Sequence, residues 1–88
     1  MDTEYYNKLF SQRLKMLREE NGWTVEELAE KLETSKSNIS FYENNKRLPG
    51  YEMLFKMMRL FNVSVDYIIG ASDDRGLTVL QSRKTLPR

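Results

Sequence analysis

Apolar residues recur along most of this chain at intervals of three and four, the period of helices with one buried face. Tyr6, Phe10, Leu14 and Leu17 are spaced four, four and three and predict a first helix that closes at Asn21-Gly22, a pair at ease in the left-handed conformation helices use to stop. Val25, Leu28, Ala29 and Leu32 fall at i, i+3, i+4 and i+7 and predict a second. A third helix carries only Ile39 and Tyr42 on its inner side. Tyr51, Leu54, Met57, Met58 and Phe61 mark a fourth, and Val65, Ile68 and Ile69 a short fifth before Gly70. The pattern predicts a compact all-α fold of five helices over residues 5–70, with residues 71–88 as a separate tail.

Punctuation agrees with periodicity. Asp2 or Thr3 can cap the first helix; Thr24 caps the second, with Glu27 three residues later completing a capping box. Ser35 restarts the chain at once after Glu33-Thr34, and Asn62 followed by Ser64 separates the last two helices. The segment NNKRLPG has turn formers and no period: Asn44 or Asn45 can take positive φ, Pro49 ends the loop, and Lys46 and Arg47 are cations beside the third helix. Met57 and Met58 read as adaptable packing, while Phe55 and Leu60 are left over, either the start of a dimer contact or ordinary exposed apolar residues. In the tail, SDDRG is a turn or linker, LTVL is β-prone and undecided, and QSRKTLPR is polar and basic; disorder or partial order is expected for the last residues, with a strand pairing across a dimer or a basic arm on DNA as alternatives.

The stretch from Thr24 to Glu43 organises the rest. Two short helices meet at a tight turn, and the second exposes Ser37, Ser40, Phe41 and Asn44, with Lys36 at the edge. Such a face has the size and chemistry to enter a DNA major groove, although most polar helix faces are merely solvated. RLKMLREENGWT, VEELAEKL, TSKSNISFYENNKRLP and LFNVSVDYIIG follow in order, and with them the chain from about Phe10 to Gly70 resembles the helix-turn-helix domain of the Xre or Cro/repressor family of bacterial and phage regulators. The resemblance implies a lambda-repressor-like fold and a homodimeric regulator, usually a repressor, of phage or mobile-element type, that reads a pseudo-palindromic operator on double-stranded DNA.

It also implies site residues. Lys36, Ser37, Ser40 and Phe41 are the candidates for base edges: a cation for guanine O6 or N7, hydroxyls that read either kind of base, and a ring for a thymine methyl. Thr24, Ser35, Asn38, Asn44, Lys46 and Arg47 are the candidates for phosphate, with Arg13 and Lys15 as more distant neighbours. Arg18 of LREE and Glu43 of the YEN triplet are expected to form a structural ion pair between the first and third helices. Two positions depart from the family. Val25 stands where glutamine often braces a phosphate contact, and Glu33 replaces the usual turn glycine, so it must either accept a strained left-handed conformation or mark a slightly different turn.

Composition narrows the classes. The 88 residues suffice for one domain of modest stability. The absence of cysteine and histidine removes disulfides, thiolate metal sites and the commonest general base, so no metal, cofactor or enzymatic activity is expected. No apolar run approaches a membrane span and the start MDTEYYNK is unlike a signal peptide, which predicts a cytoplasmic protein without a membrane partner. The balance of 14 basic and 13 acidic residues is unusual for a nucleic-acid binder, but positive charge collects in Lys36, Lys46 and Arg47. With Phe41 and Val25, that near-neutrality favours a rival reading: an interaction module of antitoxin or anti-repressor type that docks a protein partner.

Overall fold

The computed structural model describes residues 3–76, among which five helices run in the order α1 Thr3–Glu20, α2 Val25–Lys31, α3 Lys36–Glu43, α4 Tyr51–Phe61 and α5 Val65–Ile68. The strand or arm considered for LTVL and QSRKTLPR lies outside these residues, as does Asp2 as a cap. Each stop has a chemical cause. Gly22, Glu33, Asn45 and Asn62 all take φ between 58 and 71°. After α2, Glu33 N–H donates to Glu30 O at 3.1 Å and Thr34 N–H to Ala29 O at 2.9 Å, the paired bonds of a Schellman stop. The same pairing follows α3, where Asn45 N–H donates to Tyr42 O and Lys46 N–H to Phe41 O.

Starts are equally local. Thr24 Oγ1 accepts from Glu27 N–H at 3.0 Å while Glu27 Oε1 accepts from Thr24 N–H at 2.8 Å, a complete capping box. Ser35 and Ser64 cap α3 and α5 through Asn38 N–H and Tyr67 N–H, each at 3.0 Å.

The helices close over Phe10, Leu14, Leu17, Leu28, Leu32, Ile39, Tyr42, Met57, Val63 and Ile68, each side chain contributing about 1.5–3 kcal/mol by its burial. Ser11, buried between α1 and α3, satisfies its hydroxyl by donating to Tyr42 O at 2.8 Å. No helix among the described residues is long and apolar enough to cross a membrane.

Several expectations change, among them that for Met58, which the pattern placed on the inner stripe of α4 and which instead lines a groove beside Phe55. Tyr51, assigned to the inner stripe of α4, is 83% exposed. Met57 is the fully buried residue of that helix, and at about 100° per residue Tyr51 and Phe55 both fall on the far side from it. Leu60, by contrast, packs against the core, and Val63 and Tyr67, which the pattern left out, belong to it. A single turn such as α5 is too short for a period to establish its phase.

Arg13 is a clamp rather than a phosphate neighbour. Its guanidinium donates to the carbonyls of Tyr67 and Ser72, pairs with Asp73 at 2.6 Å and stacks 4.3 Å from the Tyr67 ring centroid. Arg75 lies over the same ring, pairs with Glu20, and its carbonyl accepts from Ser64 N–H at 2.7 Å. Residues 71–76 are thereby packed on α1 and α5, and the contacts of the fold run on through Gly76.

Candidate nucleic-acid interface

The second helix of the pair is anchored by Ile39 and Tyr42, the only two buried residues of α3. Residues 36, 37, 40, 41 and 44 therefore share its outward side. Lys36, Ser37 and Phe41 are exposed and Ser40 half-buried, which brings the four candidates for base contact onto one continuous surface. Phe41 is 40% exposed, a ring left in water although an apolar core lies one turn away.

Arg18 and Glu43 hold that surface in place. Arg18 Nε donates to Glu43 Oε2 at 2.7 Å and Nη2 to Oε1 at 3.1 Å, a two-pronged pair whose side chains are 12% and 7% exposed. Nη1 donates to Trp23 O at 2.8 Å, so the guanidinium ties α1 both to the α2 approach and to the end of α3. The bond to Glu43 holds the Arg18 pKa above its ordinary value, with burial opposing it.

The phosphate candidates divide into those turned outward and those already engaged. Lys46 is exposed beyond the end of α3. Thr24 and Ser35 spend a hydroxyl lone pair on their own caps, and Asn44 Nδ2 donates to Ser40 O at 2.8 Å, closing the last turn. The side chain of Asn38 is a hub within the protein: its amide donates to Thr34 Oγ1 at 2.9 Å and Tyr42 Oη at 3.1 Å, and its carbonyl oxygen accepts from Arg47 Nη1 at 2.6 Å. Held there, the Arg47 guanidinium stacks 4.8 Å from the Phe41 ring centroid. No local pattern in the sequence joins these residues, because Arg47 returns to α3 only after the Asn45 turn.

Two carboxylates beside the surface have partners. Glu26 lies 3.5 Å from Lys36 Nζ, an exposed pair that holds little energy and yields readily to a stronger anion. Glu33 Oε1 meets Lys56 Nζ at 3.2 Å, which lowers the repulsion this residue would present to phosphate. Val25 is half-buried against the core and carries no polar group with which to brace a phosphate.

In comparison with known proteins, the family model described as Helix-turn-helix matches residues 14–68. The chain belongs to this Xre-type helix-turn-helix family. It is 42% identical over 66 residues to the uncharacterized HTH-type transcriptional regulator YobD of Bacillus subtilis, covering 75% of this chain and 59% of the relative. It is 43% identical over 61 residues to the HTH-type transcriptional regulator ImmR of the same organism, covering 69% and 48%. It is also 35% identical over 52 residues to Antitoxin HipB of Escherichia coli K12, covering 59% of each. The chain thus spans about half to three-fifths of the length of these relatives. No solved structure gives a significant match.

Proposed function

We propose that this helix-turn-helix chain is a cytoplasmic, sequence-specific regulator of transcription that binds double-stranded DNA as a homodimer, places α3 in the major groove of each half of a pseudo-palindromic operator, and represses by occluding polymerase. The observation that carries this reading is the outward face of α3: a cation, two hydroxyls and an unburied ring on a helix held rigidly by the Arg18–Glu43 pair. Lys36 donates to guanine O6 or N7, Ser37 and Ser40 read polar base edges, and Phe41 packs on a thymine methyl. Thr24, Ser35, Asn44, Lys46 and Arg47 take phosphate, and Asn38 acts there through the guanidinium it positions.

Selection of bound sites from a random duplex library, followed by titration of the winner across a salt series, tests the reading. An inverted repeat should emerge, its half-sites about 34 Å apart or a multiple of that. Lys36→Ala and Phe41→Ala should relax the preference at single positions. Lys46→Ala should weaken all sequences alike and reduce the slope of log affinity against log salt by about 1. An optimal site that is asymmetric and singly occupied would remove the two-fold part of the proposal.

The likeness to a protein named as an antitoxin supports a second reading, in which the same face docks another protein. Folded protein that enriches no DNA, or binding indifferent to salt, would favour it.

A further inference from the structure

The side of α4 turned away from the core is not built for water. Tyr51 and Phe55 are 83% and 51% exposed and stack on each other with ring centroids 6.4 Å apart and planes inclined by 16°. Immediately beside them is a shallow groove of about 480 Å³ lined by Glu52, Phe55, Lys56, Met58 and Arg59. Tyr51, Phe55 and Met58 are spaced four and three, the seam spacing by which one helix packs along another. The seam has no occupant among the described residues.

The charges around it specify one. Glu52 and Arg59 stand seven residues apart, so they flank the seam on the same side, about 10 Å from each other along the axis. Among the described residues neither takes part in an ion pair, whereas Lys56, the remaining charge at the groove, is directed to α2, where it meets Glu33 and Leu32 O. When two copies of a helix pack antiparallel, the same flanking position of each faces the other with its direction reversed. A residue near the start of one copy then meets the residue seven places later in its mate. Parallel packing would instead put Glu52 and Arg59 of the two copies on opposite sides of the seam, where neither could meet the other.

We infer that this face binds a second copy of the chain, α4 antiparallel to α4 about a two-fold axis near Phe55. Each Phe55 ring enters the groove of the other copy, and Glu52 of each copy faces Arg59 of the other. A protruding ring and a groove on the same patch, with opposite charges at its two ends, make a surface complementary to itself, which is what a two-fold contact requires. The contact covers little more than two turns, less than the roughly 800 Å² per partner of a standard interface, so the free dimer is weak and a two-fold DNA site would tighten it. The inference deepens the homodimer of the proposed function and is independent of how DNA is read.

Sedimentation equilibrium of the full chain without DNA tests it, up to several hundred micromolar. The wild type should self-associate. Glu52→Arg or Arg59→Glu alone turns two attractive pairs into two repulsive ones and should raise the dimer Kd about tenfold. The double variant E52R/R59E restores opposite charges in the exchanged sense and should return the Kd to within about threefold of wild type. Phe55→Ala should weaken the dimer by about tenfold or more without changing the helical circular dichroism, because the ring is half exposed.

A wild type that stays monomeric throughout, single reversals without effect, or a double variant as weak as the singles would each overturn the inference. Its failure is distinguishable from that of the proposed function. A dimer obeying the charge swap in a protein that enriches no operator would sink the DNA reading alone. An enriched inverted repeat bound by a dimer indifferent to the swap would sink this interface alone.

Discussion

Glu43→Ala is the substitution through which the architecture of the site is best interrogated. Glu43 supplies both carboxylate oxygens to Arg18, and the two side chains are 7% and 12% exposed. Its removal leaves the guanidinium with one protein acceptor, Trp23 O, in a place where little water can replace the lost carboxylate. Breaking a buried pair by deleting one partner costs about 3–5 kcal/mol, and the lower end applies because neither head is fully shut off from solvent. For a domain of this size, total stability is on the order of 4–11 kcal/mol, so a loss of about 3 kcal/mol is a large share of it. At about 4–8 °C per kcal/mol, the midpoint should fall by roughly 12–24 °C.

Urea unfolding followed by circular dichroism, with wild type, Glu43→Ala, Glu43→Gln and the paired change Arg18→Met with Glu43→Leu, separates the terms. The glutamine keeps an acceptor and should cost less than the alanine. The paired apolar change removes both desolvated charges and should recover much of the loss, since two charges of a buried pair are expensive to dehydrate in the first place. A Glu43→Ala loss below about 1 kcal/mol would refute the reasoning, because it would mean that water replaces the carboxylate at a guanidinium whose side chain is only 12% exposed.

Two further outcomes are expected. Glu33 holds φ 58° with an L side chain, so Glu33→Gly should stabilise by about 0.5–1 kcal/mol net of glycine's greater freedom when unfolded and of the exposed pair with Lys56, and a lower melting point would contradict this. The Arg75 guanidinium, chiefly through its hydrogen bonds, holds the Glu20 carboxyl below its ordinary value of 4.5. A depressed carboxyl contributes stability above its unfolded pKa and loses it as pH falls through the folded one, so the tether should weaken below about pH 4.5. Glu20→Gln should flatten that part of the stability-against-pH curve, and an unaltered acid limb would rule the tether out as its cause.

The helices, their caps and their stops were determined by the sequence alone, because each depends on residues within one or two turns. Thr24 with Glu27, Ser35, Asn62 and Ser64 act on backbone groups three or four places away, and the apolar period of α2 needs only that helix and its C-cap Leu32. The order of motifs that resembles the Xre family was legible for the same reason.

What only the tertiary structure decided is how side chains distant in sequence meet. The Arg18–Glu43 pair spans 25 positions, and although resemblance proposed it, no spacing in the chain could establish its burial. The Arg13 clamp on Tyr67, Ser72 and Asp73 spans 54 to 60 positions and had no local sign. Tyr51 shows the limit most directly. An i, i+3 match with Leu54 counts it as inward, but a helix face is broad, and which edge is covered depends on where the neighbouring helices lie. Periodicity measures the spacing of apolar residues along a helix; only packing fixes the direction in which that stripe points.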